Sequence, residues 1–217
     1  MSRLIFILAL LTGITINAEE GFKDLFNGKD LSGWENPFDW GKAEVKDGEI
    51  HLTTVKKKFF LVTEKKYKDF IFECEIKMPE GKSNSGLMFR CHKKKNRVWG
   101  YQAECDPSDR RWSGGLYDEG RRRWMNPMRD HKPDENKAYK KNLSDKWSEE
   151  KLGALKRHDW NKYRIECKGN EIKISVNGIL TTHIIDTTDT EGFLGIQHHG
   201  EKGKIYKFRN IRVKELK

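Results

Sequence analysis

Between Phe70 and Met78 apolar and charged residues alternate one for one. Phe70, Phe72, Cys74, Ile76 and Met78 keep one phase, with Glu73, Glu75 and Lys77 between them. A period of two belongs to a strand with one face in a core and the other in water. The same period runs through Asn161–Cys167, and then through Ile172, Ile174 and Val176 after Lys168-Gly169-Asn170. Asn177-Gly178 leads into the run Ile179–Ile185, and Asn-Gly between two such runs is the strongest short-range hairpin signal. Asp47-Gly48 plays a similar part before Glu49-Ile50-His51-Leu52. In the closing run Ile205–Val213 the apolar phase shifts between Phe208 and Ile211, which predicts a β-bulge near Asn210. Many short strands punctuated by turns predict an all-β sandwich of two antiparallel sheets packed face to face. Only the stretch 118–154, rich in charge and containing Pro127 and Pro133, breaks the pattern; it is expected to be a long loop insertion, either an excursion with a little helix or a functional loop.

The N-terminus predicts a compartment. Arg3, the apolar run Leu4–Leu11 and the small residue Ala18 at the end of the segment read as a cleavable export signal over 1–18. The apolar run is too short to cross a bilayer, which takes about 20 residues. One domain over 19–217 is expected, secreted or periplasmic, with no membrane span. The 35% hydrophobic fraction is enough for a packed core.

Charge and cysteine usage narrow the partners. The net charge of +10 sits in runs such as Lys56-Lys57-Lys58, Lys93-Lys94-Lys95 and Arg121-Arg122-Arg123. An exported chain rarely meets nucleic acid, so these runs read as solvated loop tips, with an acidic or sulfated glycan as the polyanion left open. Cys74, Cys91, Cys105 and Cys167 each fall on an apolar phase and no CxxC spacing occurs, so a thiolate metal site is not expected. Their disulfide state stays open. No cofactor is expected, and bound calcium is left open because loop carboxylates can collect it without a motif.

The strand Trp99–Asp106 carries the strongest chemical signal. Trp99, Tyr101, Ala103 and Cys105 share one face, expected in the core; Gln102, Glu104 and Asp106 share the other. Alternate residues along a strand stand about 7 Å apart, in the range used by paired carboxylates on sugars. The plainer reading is a solvated polar face. On the preceding strand, Leu87 and Phe89 point inward, so Arg90 is expected on the face of Glu104 and Asp106, where a guanidinium pairs a carboxylate or holds a substrate oxygen. Near the C-terminus, Leu194, Ile196 and His198 share one phase and Gln197 and His199 the other. Adjacent histidines on a strand point apart, which makes a poor metal pair and leaves His199 as a candidate acid or base. The loop from Trp112 to Trp124 mixes aromatics, acids and arginines, and its rings suit the C–H face of a pyranose.

Taken in order, Phe26–Trp34 (FNGKDLSGW), SNSGLMFR from Ser83, GYQAECD from Gly100, WSGGLYDEGRRRW from Trp112, His158-Asp159-Trp160-Asn161, Val176-Asn177-Gly178 and Phe208-Arg209-Asn210-Ile211 resemble the 3-keto-disaccharide hydrolase domain family. The resemblance covers essentially the whole chain after the signal. It implies a concanavalin A-like jelly-roll sandwich and activity on glycosides oxidised at C3. By matching positions it implies a site of Asn84, Arg90, Gln102, Glu104 and Asp106, joined by Tyr117, Glu119, Arg121, Arg122 and Trp124, with Gln197 and His199 from the late strand. Many relatives carry Gln-Asp-His-Gly where this chain has Gln197-His198-His199-Gly200. The expected chemistry is removal of the C2 proton by Glu104 or Asp106, enolate stabilisation by Arg90, and protonation of the leaving group by His199, with water then adding back. The foremost other class is a noncatalytic carbohydrate-binding module using the same groove; behind it stand a classical glycosidase acting on unoxidised sugars through two carboxylates and a structural or adhesive surface domain.

Overall fold

In the computed structural model of the protein the described residues are 20–55, 57–127, 139–142 and 147–217. The expected export signal, 1–18, lies outside them. Strands are numbered β1 to β16 in chain order. One sheet contains β1 (Lys23–Asp24), β3 (Lys42–Lys46), β4 (Glu49–Thr53), β6 (Phe70–Lys77), β11 (Tyr139–Asn142), β12 (Trp160–Lys168), β13 (Glu171–Val176), β14 (Ile179–Asp186) and β16 (Tyr206–Glu215). The other contains β2 (Trp34–Glu35), β5 (Phe59–Tyr67), β7 (Ser85–Lys94), β8 (Arg97–Cys105), β9 (Leu116–Glu119), β10 (Arg123–Asn126) and β15 (Gly192–His198), in the order β10-β9-β8-β7-β15-β5-β2. Neighbouring strands in both sheets run antiparallel. No helix among the described residues is long and apolar enough to cross a membrane.

The alternation seen in the sequence is the packing plan. Phe70, Phe72, Cys74 and Ile76 of β6 are fully buried, and so are Ile165, Cys167, Ile172, Ile174 and Val176 of the β12–β13 hairpin. They meet Leu87, Phe89, Tyr101, Ala103, Leu194 and Ile196 from the opposite sheet in one continuous core. Removing these side chains from water is the main favourable term in forming the sandwich. The expected bulge is present: the register of β16 against β6 shifts between Arg209 and Arg212, and Asn210 takes φ +50°. The four cysteines are free and buried. Burial pushes their thiols up, so they pack as small apolar side chains.

The described residues of the stretch 118–154 include strands in place of an all-loop insertion; 128–138 and 143–146 lie outside the described residues. Leu116–Glu119 and Arg123–Asn126 pair as a hairpin at the edge of the seven-stranded sheet, and Tyr139–Asn142 forms an edge of the other. A single helical turn, α1 (Glu149–Leu152), is capped by the Ser148 side chain accepting from the Lys151 N–H. These strands are only four residues long, and β9 buries Asp118 where an apolar residue would continue the alternation, so the period-two signal is weak in the sequence.

Arg90 is not where alternation along β7 puts it. Phe89 faces Tyr101 and His92 faces Trp99, so Arg90 and Cys91 together stand opposite Gly100. This bulge sets Arg90 at φ +44° and Gly100 at φ +130°. A Cβ at residue 100 would lie 2.8 Å from the Cys91 Cα, so the close approach requires glycine. The Arg90 side chain turns away from Glu104 and is fully buried. It donates to the Lys68 carbonyl at 2.7 and 3.0 Å, to the Asp189 carbonyl at 3.2 Å and to the Asp69 carboxylate at 3.1 Å. Trp99 also departs from the core phase: it is half-buried and stacks on His92 with centroids 5.4 Å apart. Arg90 therefore ties loops together inside the sandwich. Arg90→Met should lower unfolding free energy by about 3 kcal/mol in urea titration, because it leaves buried acceptors unpaired.

Candidate active site

The outer face of the seven-stranded sheet carries a cleft of about 470 Å³. Strand β8 sets its floor. Tyr101, Ala103 and Cys105 enter the core, so Gln102 and Glu104 face outward, and Asp106 follows just past the strand end. Gly86 on β7 lies in register with Glu104. A Cβ there would come within 2.4 Å of the Gln102 Cγ, so the glycine leaves the space in which the Gln102 side chain lies. Gln197 from β15 and His199 just past its end reach the same cleft. His198 points the other way, buried between Phe59 and Tyr206. Tyr117 and Glu119 come from β9, Trp124 from β10, and Asn84 from the segment entering β7. Nine of the expected site residues thus line one cleft: Asn84, Gln102, Glu104, Asp106, Tyr117, Glu119, Trp124, Gln197 and His199, and Ser83 beside Asn84 joins them in the wall.

Glu104 is the electrostatic centre. Only 4% of it is exposed. Its two carboxylate oxygens accept from the Asn84 amide at 2.5 Å and the Gln102 amide at 2.7 Å. Burial in a poorly hydrated site disfavours the charged form, while the two amide donors favour it. Burial wins: it pushes the Glu104 carboxyl up from 4.5 to about 7, with a smaller push from Asp106. Such a group exchanges its proton near neutral pH, as a general base or acid must.

The amides form a directional relay. A carboxylate only accepts, so Gln102 turns its NH₂ to Glu104 and its carbonyl to Gln197, whose NH₂ donates at 2.8 Å. Gln197 is left with a buried Oε1 that has no partner among the described residues. An unpaired buried acceptor is costly, so this atom is suited to a hydroxyl donor from a ligand.

The cleft walls contain residues that the sequence reading missed. Arg110, in the loop after β8, donates to Asp106 at 2.6 Å and lies 3.6 Å from Glu104. Its guanidinium stands 4.6 Å from the Trp124 ring centre. Arg110 holds the position beside the carboxylates that was expected of Arg90. Lys58 pairs with Glu119 at 2.6 Å, and Lys82, Ser108 and Glu201 complete the walls. Trp124 packs edge-on against Tyr117 and Trp112 at 5.3 and 4.9 Å, which holds its ring in place. Sequence spacing could point to Glu201, two residues after His199. Lys58 and Arg110 reach the cleft through loop paths that no local pattern encodes.

Arg121 and Arg122 do not line the cleft. The β9–β10 turn carries them inward to three buried or nearly buried carboxylates. Arg121 bonds Asp118 at 2.8 Å and Asp189 at 2.5 Å, and Arg122 bonds Asp118 and, at 2.8 Å, Asp186. Asp186 also accepts from the Tyr101 hydroxyl. Asp118 and Asp186 have no exposed surface, and buried carboxylates need such cations. The pair therefore clasps the two sheets.

The raised Glu104 pKa has a stability consequence. Between pH 4.5 and about 7 the folded chain keeps a proton that the unfolded chain has released, so its contribution to stability is full below 4.5 and is lost as pH rises through 7. The shift corresponds to about 3 kcal/mol. Glu104→Gln should therefore raise the thermal midpoint relative to the parent at pH 8, with the gain shrinking at pH 5, as read by calorimetry at both values.

Comparison with known proteins places this geometry. A solved carbohydrate-binding module of type CBM66 from Bacillus subtilis is similar over 84% of this chain and 96% of its own, with TM-score 0.57 and 16% identity. A candidate glycosyl hydrolase from Parabacteroides distasonis is similar over 91% and 95%, with TM-score 0.60 and 18% identity. A second such protein from that organism aligns over 90% and 99%, with TM-score 0.55 and 21% identity. These likenesses show the fold, a sandwich of the jelly-roll kind. No curated protein sequence matches the chain significantly. The model of the 3-keto-alpha-glucoside-1,2-lyase-like domain matches residues 21–214, and the chain belongs to that family.

Proposed function

We propose that this chain is an exported enzyme that cleaves 3-keto-glycosides by elimination across C1 and C2, and that Glu104 is its base. The observation that carries the reading is Glu104 itself: a buried carboxyl poised at about 7, held by two amides on the floor of an open cleft. The family description, a 3-keto-alpha-glucoside-1,2-lyase-like domain, supports elimination across C1 and C2. Export rests on the apolar segment at 4–11.

A ketone at C3 acidifies the hydrogen on C2. Glu104 takes that proton, and the C2–H electron pair moves into an enolate on the C3 oxygen. The enolate then re-forms the ketone, C1 and C2 become doubly bonded, and the C1–O bond breaks as the leaving oxygen takes a proton from His199. Water adds to C1 and a proton returns to C2, giving net hydrolysis. The cation nearest the carboxylates is Arg110, so enolate stabilisation is assigned to it in place of Arg90. Asp106 is engaged by Arg110 and by the Ser108 N–H at 3.0 Å, which suits it to orienting that cation. Trp124 and Tyr117 offer ring surface to the sugar.

A second reading, a noncatalytic carbohydrate-binding module, is favoured by one observation: both Glu104 oxygens already accept hydrogen bonds, as in a fixed polar anchor. Turnover separates the two. The purified domain, given a 3-keto-glucoside and its unoxidised parent, should cleave only the oxidised sugar and release an unsaturated 3-keto intermediate detectable by mass. Glu104→Gln should lower kcat by roughly 10²–10⁴-fold. Binding of glycan with no cleavage of either sugar would establish the module instead.

A further inference from the structure

Glu104 lies on β8 and His199 just past the end of β15, yet a continuous run of hydrogen bonds joins them. Glu104 Oε1 accepts from the Asn84 side chain at 2.5 Å. The Asn84 backbone N–H donates to the Tyr206 hydroxyl at 3.2 Å, and that hydroxyl donates to Glu201 Oε2 at 2.7 Å. The other Glu201 oxygen meets His199 Nδ1 at 2.9 Å. Each link has one permitted direction. The backbone amide can only donate, so the Tyr206 proton must go to Glu201. A carboxylate can only accept, so Nδ1 of His199 must carry the hydrogen.

That assignment decides what His199 presents. With Nδ1–H held by Glu201, the free nitrogen is Nε2, on a side chain that is 47% exposed and lines the cleft. Glu201 stays ionised over the neutral range. Burial pushes its carboxyl up, but the bonds from His199 and Tyr206 outweigh that and hold it below the usual carboxylate range. Tyr206 is fully buried and packs against His198 at 4.4 Å, so it is a rigid anchor for Glu201. A histidine with one nitrogen on a carboxylate and the other facing a cleft is the arrangement that fixes tautomer and ring orientation in acid–base catalysis.

We infer that Glu201 is a positioning residue that, anchored by Tyr206, holds His199 as the proton donor to the departing C1 oxygen, in the cleft that also holds the base Glu104. The inference rests on the elimination reading of the site. In the step it serves, the leaving oxygen gains the Nε2 proton as the C1–O bond breaks, and His199 becomes neutral. Solvent returns the proton before the next turnover. Glu201 does not exchange a proton; its bond to Nδ1 fixes the ring with Nε2 toward the leaving group.

The demand for a proton donor depends on the leaving group, which makes the role measurable. A 3-keto-disaccharide expels an alkoxide-like sugar oxygen and needs protonation. A 4-nitrophenyl 3-keto-glucoside expels a stable phenolate and does not. His199→Ala and Glu201→Gln should each lower kcat on the disaccharide, His199→Ala by about 10²-fold or more, while KM is preserved and the nitrophenyl substrate keeps its rate within a few-fold. His199 is exposed, so its replacement leaves the fold intact. For Glu201→Gln, calorimetry confirms folding, and ¹⁵N shifts of the His199 ring should show loss of the Nδ1–H preference seen in the parent. Equal losses on both substrates, or no loss on either, with an active parent would overturn the inference alone. A parent inactive on both substrates would overturn the elimination reading and the inference with it.

Discussion

Strand β8 has two jobs that its period of two makes inseparable. Each residue it gives to the core, Tyr101, Ala103 and Cys105, forces its neighbour onto the outer face, where Gln102 and Glu104 form the cleft floor. Core packing thus sets the height and direction of the carboxyl at the centre of the site. The opposite sheet reinforces this placement: Tyr163 of β12 donates its hydroxyl to the Glu104 carbonyl at 3.0 Å, fixing the backbone under the side chain. A slip of one residue in register would bury the acids and expose the core face, so the fold holds the site by the same force that forms the sandwich.

Around that strand the protein handles buried charge in two opposite ways. At one end of the sandwich, Asp118, Asp186 and Asp189 are matched by Arg121 and Arg122, and Arg90 is saturated by loop carbonyls and Asp69. Those charges are neutralised in place and serve cohesion. In the cleft, Glu104 receives only neutral amides at bonding distance, with the Arg110 cation at 3.6 Å. Incomplete compensation is what leaves its proton exchangeable near pH 7. Sites of this kind sacrifice stability for reactivity, and here the sacrifice is concentrated on one carboxyl.

The arginines show most clearly what could be read in advance and what could not. Alternation sorted Gln102 and Glu104 from Tyr101 and Ala103, and Gln197 from His198, because a strand's side chains follow its backbone. Arg90 defeated the same rule, since one inserted residue opposite Gly100 reverses the phase and no residue type announces it. Arg121 and Arg122 were misplaced for a related reason: a tight turn curls back under its own sheet, and buried carboxylates far away in sequence draw the cations inward. Arg110 came to the cleft by a loop whose path depends on Asp106 and the Trp124 ring.

The amino-acid sequence by itself determined the all-β class, the two faces of each regular strand, the bulge at Asn210 and the burial of the four cysteines, because these follow from local periodicity and the exclusion of apolar side chains from water. Tertiary structure alone decided which cations meet which carboxylates, that Glu104 carries a proton into the neutral range, and that Glu201 and Tyr206 connect His199 to Asn84. Those properties depend on desolvation and on distances between segments up to 150 residues apart in the chain, and neither quantity exists until the two sheets have closed on each other.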